Sequence, residues 1–218
     1  VADGGTDAGA TDVPCDGGTA ESGAATFYEP ASATACGLPA EGDYVALPPG
    51  LFAGSRGCGA CIEVTGPRGV RVARAVDLCA GCAPDELDLA RATFAALEAP
   101  EQGRISVTYR FVPCEVSGPV SYRVAEGSDP SRLALQVRDH RYAVASLELR
   151  PSGGSAFTPL ERTQDNLFVH PSASGPLALP ATLRVTDVHG HVLTDTLDSV
   201  EPGRTVAGAA QFPATCGP

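Results

Sequence analysis

The 218-residue chain contains no Met, no Trp and no Lys. Without Lys, its 15 positive charges are all Arg, and against 26 carboxylates they leave a formal net charge of -11. Neutralising a phosphate backbone needs a basic face, so nucleic acid is excluded as a partner. Without Trp, the chain lacks the widest flat side chain that could stack on a sugar ring. Long hydrophobic runs are also missing: no stretch approaches the roughly 20 apolar residues of a membrane-spanning helix, so no membrane partner is expected.

What the chain has is 25 Gly, 19 Pro and 8 Cys. An even cysteine count among many turn residues, Ser and Thr suits an exported protein held by disulfides, which predicts a secreted, extracellular location. The start, VADGGTDAGATDVPCDGGTAESG, reads as a Gly/Ala/Asp spacer left after removal of a signal peptide, and residues 1–22 are expected to be flexible except near Cys15.

The chemistry gathers in residues 58–94. IEVTG and GVRVARAVDL alternate apolar and polar residues on either side of GPRG, which describes two half-buried strands joined in a hairpin. The second strand ends on Asp77. Beyond CAGCAPDE comes Asp88, and then LARATFAAL, with Leu89, Thr93, Phe94, Ala96 and Leu97 at helical spacing before Pro100. Both carboxylates thus sit at element ends, where a cleft can expose them.

GAATFYEP (23–30) reads as a short strand and RISVTYRFVPCEV (104–116) as a long one. A boundary is expected at SGPVS (117–121), which divides the chain into residues 23–118 and 119–218. Downstream, VSYRVAEG, RLALQVRDH, YAVASLELR, DNLFVHP, ATLRVTDVHG and HVLTDTLDSV recur about every ten residues between Gly, Pro, Ser or Asn, the pattern of a β-sandwich.

CGAC (58–61) and CAGC (79–82) have the spacing of a four-thiolate zinc site. That reading leaves Cys15, Cys36, Cys114 and Cys216 without a role, whereas an exported chain can use all eight cysteines in disulfides, so disulfides without a metal or other cofactor are favoured. Cys15 and Cys216 are both remote from the cluster and are expected to pair. All four histidines lie in the second half. His189 and His191 read as a turn pair about Gly190.

In order, GAATFYEP, TACG, GCGACIEV, VDLCAGC, ELDLARATF and ISVTYRFVPC resemble the first domain of expansins and of the related barwin and loosenin proteins. LALQVRDHRYAVASLEL, NLFV, LRVTDVHGHVLTDTL and QFP resemble the second expansin domain. The likeness implies a mainly β protein: a six-stranded double-psi β-barrel followed by an immunoglobulin-like β-sandwich. It implies binding and nonhydrolytic loosening of plant cell wall polysaccharides, cellulose and hemicellulose of the xyloglucan type, by a monomer. By the same resemblance Asp88 is the acid-like residue, while Thr26, Tyr28 and Asp77 line a polysaccharide groove. It also pairs Cys36 with Cys58 and Cys61 with Cys114, leaving Cys79 and Cys82 to bridge locally.

Three departures shape the expectation. Cys79 stands where bacterial members often have an aromatic two residues after the strand Asp. The three aligned aromatic platform positions of the second domain fall on Ser131, Arg132 and Asp165, which predicts weak cellulose binding. The chain is acidic where wall-binding bacterial members are often basic. In the related family 45 glycoside hydrolases a second carboxylate acts as base; the aligned position is Pro30, and Glu29, one residue earlier in a strand, would face the other way. The alternative is a weak β-glucan or peptidoglycan hydrolase or lytic enzyme using Asp88. Simpler roles are also open: Asp88 as a helix N-cap, Asp77 as a strand-end carboxylate, Thr26 as a strand former and Tyr28 as a core aromatic.

Overall fold

The computed structural model describes residues 18–30, 33–171 and 175–214. Cys15 and Cys216, expected to pair, lie outside them, as does most of the expected spacer.

In the first half, alternation turns directly into strands. In β6 (Ile105–Val112), Ile105, Val107 and Tyr109 are buried while Ser106 and Thr108 are exposed, the period of a strand with one face on a core. Five further strands precede it: β1 (Glu21–Tyr28), β2 (Tyr44–Leu47), β3 (Cys61–Gly66), β4 (Gly69–Leu78) and β5 (Glu86–Ala90). They close with β6 into a six-stranded barrel in the order β1-β5-β2-β4-β3-β6. The pairs β1/β5 and β2/β4 are parallel and the other four are antiparallel. The expected hairpin is β3-β4, with Gly66 opposite Gly69. β1 starts ahead of the expected position 23, because Glu21 and Ser22 pair with Tyr109 and Thr108 of β6.

A short helix α1 (Pro49–Phe52) follows β2, and α2 (Arg91–Leu97) follows β5. The expected helix began at Leu89; instead, Leu89 is held extended between Phe27 of β1 and Val45 of β2. Two neighbouring strands satisfy the backbone there, so the helix starts only where the sheet ends. Its Phe94 is fully buried, with its ring centroid 4.9 Å from that of Phe27.

The second half comprises β7 (Ser121–Val124), β8 (Ala134–Arg138), β9 (Val144–Arg150), β10 (Thr158–Pro159), β11 (Glu161–Arg162), β12 (Phe168–Val169), β13 (Ala181–Asp187), β14 (Val192–Leu197) and β15 (Thr205–Ala207). They form a four-stranded sheet, β10-β9-β13-β14, and a five-stranded sheet, β11-β12-β8-β7-β15. Tyr122, Leu135 and Val137 from one sheet and Leu147, Leu149, Leu183 and Val185 from the other share one core, separate from that of the barrel. Strands β10, β11 and β15 escaped the sequence reading because two or three residues are too few to show a period.

The sheets and the barrel are in direct contact. Gln136 Nε2 donates to the Cys36 carbonyl at 2.7 Å, Arg138 Nη2 to the Gly37 carbonyl at 3.1 Å, and Ser55 Oγ to the Thr163 carbonyl at 2.7 Å. His140 is buried in this contact, where desolvation lowers its pKa to about 3. A Cβ on Gly59 would lie 2.5 Å from the His140 ring, and the φ of +76° there also favours glycine.

Candidate functional site

One register row crosses four adjacent barrel strands. Asp77 of β4 lies opposite Ala46 of β2, Ala46 lies opposite Asp88 of β5, and Asp88 lies opposite Thr26 of β1. Neighbouring strands are about 4.8 Å apart, so the two aspartate backbones stand about 10 Å apart across Ala46. Both aspartates are partly exposed, as are Thr26 and Tyr28.

Thr26 donates its hydroxyl to Asp88 Oδ1 at 2.7 Å. Asp88 is therefore a strand residue facing a side-chain partner, not a helix N-cap; Ala90 holds the N-cap position of α2 without a side-chain bond. Burial raises the Asp88 pKa above its ordinary value, opposed by the Thr26 bond and aided by the charges of Glu86 and Asp77. Asp88 therefore holds its proton to a higher pH than a free aspartate does.

Asp77 is held from three sides. Its Oδ1 accepts the Ala35 amide at 2.7 Å and the Leu78 amide at 2.9 Å, and its Oδ2 accepts the Tyr28 hydroxyl at 3.3 Å. The Ala35 contact forms because the loop around Cys36 lies along β4, with the Cys36 amide bonded to the Val76 carbonyl at 3.1 Å. Tyr28 packs edge-on against Tyr44, with ring centroids 5.6 Å apart. Burial, followed by the Asp77 charge and bond, pushes the Tyr28 pKa well upward and keeps the hydroxyl protonated as a donor.

Three disulfides are present among the described residues: Cys36 with Cys58, Cys61 with Cys114, and Cys79 with Cys82. Cys58 and Cys61 therefore belong to different bridges, and the four-thiolate zinc arrangement of the two CxxC motifs is not formed. The Cys79–Cys82 bridge lies beside Asp88: both sulfurs and an Asp88 carboxylate oxygen lie within 4.8 Å of one another.

That contact and Glu86 are the two elements the sequence reading missed. Glu86 accepts Arg104 Nε at 2.7 Å and the Ala83 amide at 3.2 Å, and these bonds lower its pKa. Its position two residues before Asp88 becomes informative once ELDLA is read as a strand, because alternate strand residues share a face.

The remaining expected positions lie in the second half, in the connections between its strands. Ser131 and Arg132 are exposed ahead of β8, where Asp129 accepts the Ser131 amide at 2.7 Å and pairs with Arg132 at 3.1 Å. Asp165 is exposed in the turn between β11 and β12 and accepts the Thr163 hydroxyl. His189 and His191 do flank a turn at Gly190: both of their amides donate to Asp187 Oδ1, at 2.9 Å each.

No protein-family model matches the chain. Among curated proteins, it is 33% identical over 161 residues to Expansin-YoaJ of Bacillus subtilis, covering 71% of this chain and 67% of that protein. It is 32% identical over 148 residues to Expansin-like protein 7 of Dictyostelium discoideum, covering 66% of this chain and 27% of that protein. Among solved structures, apo Clavibacter michiganensis expansin superposes with a TM-score of 0.82 at 29% identity, over 89% of this chain and 98% of that one. A mutant of that expansin in complex with cellohexaose gives the same values. With the six-stranded barrel, the paired sheets and this likeness over most of its length, the chain belongs to the expansin family.

Proposed function

We propose that the chain is an extracellular, nonhydrolytic protein that binds and loosens plant cell wall polysaccharides of the cellulose and xyloglucan type. In this reading residues 23–118 form the groove domain and residues 119–218 a second binding domain. Asp88 hydrogen-bonds or protonates a glucan oxygen, and Asp77, Thr26 and Tyr28 position the chain.

The carrying observation is the state of the carboxylates around Asp88. The two whose charges act on it, Asp77 and Glu86, both already accept strong donors. Inverting hydrolysis needs a base that takes a proton from water, and a carboxylate occupied by amides or by a guanidinium is poorly placed for that. The charge of exposed Glu29 acts on Tyr44 and is not among those that shift Asp88. The cellohexaose complex of the Clavibacter expansin supports a β-glucan as the ligand class.

One observation favours weak hydrolysis as a second reading. The backbone spacing of Asp77 and Asp88, about 10 Å, is near the roughly 6.5–9.5 Å carboxyl separation of inverting glycosidases. Reducing-end release from soluble and insoluble β-glucans and from peptidoglycan separates the two readings, when run beside binding and wall-extension assays. Background release together with retention and extension is expected. Product formation by the native protein that disappears in Asp88→Asn would establish the hydrolase instead.

A further inference from the structure

The described disulfides are of two kinds. Cys36–Cys58 and Cys61–Cys114 span 22 and 53 residues, and their four cysteines are at most 6% exposed. Cys79–Cys82 spans three residues, and both of its cysteines are partly exposed. Closing so short a loop restrains the unfolded chain least, and an accessible sulfur can be reached by a thiolate in solution. The long bridges staple the barrel; the short one contributes less to holding the fold and lies beside Asp88.

The surroundings of the short bridge suit another use. The C-A-G-C spacing is that of a zinc knuckle, and the Cys82 amide turns back onto the Cys79 carbonyl at 3.3 Å. A side chain at Gly81 would meet nothing within 4 Å, so the turn is open to solvent. Asp88 supplies a third donor, its carboxylate oxygen lying within 4.8 Å of both sulfurs. While the sulfurs are bonded to each other they are poor ligands. As thiolates they are strong ones, and two thiolates with one carboxylate match the donor preference of zinc, leaving a fourth position for water.

We infer that Cys79, Cys82 and Asp88 form a redox-gated site for a borderline-soft divalent cation of the zinc class. It is closed while the bridge is intact and opens when a small dithiol reduces that bridge ahead of the buried ones. In the step, a thiolate of the dithiol attacks one bridge sulfur, and the S–S bond breaks to release the other as a thiolate. The second thiol of the reductant, as its thiolate, then displaces the first cysteine. Two electrons pass to the protein, the reductant becomes a cyclic disulfide, and its two protons go to the cysteines or, when the metal binds, to solvent. The inference does not depend on which glycan the groove takes.

The test is graded reduction of the full chain with dithiothreitol, maleimide labelling and peptide mapping. After removal of the reductant, the chain is titrated with zinc against a chromophoric chelator, and with cadmium while the thiolate-to-metal band is followed. Cys79 and Cys82 are expected to label before Cys36, Cys58, Cys61 and Cys114. The reduced chain should take one zinc that protects Cys79 and Cys82 from alkylation, and Asp88→Asn should weaken binding on the order of tenfold or more. Cys79→Ser/Cys82→Ser, treated identically, should lose this site, which separates it from any contribution of Cys15 and Cys216. Should that double variant fail to fold, the protection pattern and the Asp88→Asn comparison in chains with native cysteines still decide. Simultaneous reduction of the three bridges, zinc without protection of Cys79 and Cys82, or equal affinity in Asp88→Asn would each overturn the inference.

Discussion

Thr26 and Asp88 are 62 residues apart in the chain and meet through a hydroxyl-to-carboxylate bond of 2.7 Å across the parallel pair β1/β5. The bond opposes the effect of burial, favouring the ionised carboxylate while burial favours the neutral acid. The protonation state of Asp88 is therefore set by a balance between its burial, reinforced by the charges of Glu86 and Asp77, and the Thr26 bond.

Removing the hydroxyl should shift that balance in a known direction. In Thr26→Val, Asp88 loses the partner that favours its charge, so its titration should move to higher pH. Carboxyl carbon NMR of the Asp88 resonance reads this directly, and no upward movement would show that the bond does not form in solution. An intramolecular bond of this kind contributes about 0.5–1.5 kcal/mol, so a loss of stability in that range is expected from denaturant unfolding.

Asp88 should also cost stability at neutral pH. Its folded pKa is raised, so the folded state holds the proton more tightly than the unfolded one. The stabilising contribution is full below the unfolded pKa near 3.8 and is lost as pH rises through the raised folded value. Asp88→Asn should thus be more stable than the native protein at pH 7, by less than about 1 kcal/mol because the group is half exposed and screened. The gain should shrink as pH falls towards the unfolded value. Urea midpoints measured across pH give the comparison.

His140 acts in the opposite sense. Burial between the barrel and the sheets lowers its folded pKa to about 3, so the unfolded state binds the extra proton first as acid is added. Its contribution is full above the unfolded value of 6.5 and is lost as pH falls towards 3. His140→Asn should lose less stability than the native protein between those limits. Identical acid slopes for the two proteins would mean that His140 is not desolvated in solution.

The exposed positions Ser131, Arg132 and Asp165 should accept a stacking platform. Aromatic stacking contributes about 0.5–1.5 kcal/mol per pair beyond area burial, and each 1.4 kcal/mol is about tenfold in affinity. Ser131→Trp, Arg132→Trp and Asp165→Tyr together should raise retention on crystalline cellulose by an order of magnitude or more. The exposed Arg132–Asp129 pair lost in the process is worth little. The added retention should survive high salt, because stacking is not screened as charge pairing is. Tight native binding left unchanged by the three substitutions would place the cellulose contact on another face.

Much of this architecture was legible locally. Alternation in IEVTG, GVRVARAVDL and ISVTYRFV marks β3, β4 and β6 because the strand period of two is written into consecutive residues. The run ELDLA misled, since apolar residues spaced along LARATFAAL also suit a helix and only the presence of β1 and β2 on either side holds Leu89 extended. Pairing is a long-range fact, which a local period cannot carry.

The chain by itself determined which groups were available: all-Arg positive charge within an acid excess, no Trp, eight cysteines, and the carboxylates Asp77 and Asp88. The expectation that both lie at element ends held for Asp77, near the end of β4, but not for Asp88, which is central in β5. Tertiary structure alone decided what those groups meet. It set Asp77 and Asp88 on either side of Ala46, satisfied Asp77 with the Ala35 amide, and laid the Cys79–Cys82 bridge beside Asp88. The physical reason is that register, burial and the desolvation that shifts a pKa arise only when strands distant in sequence close into a barrel.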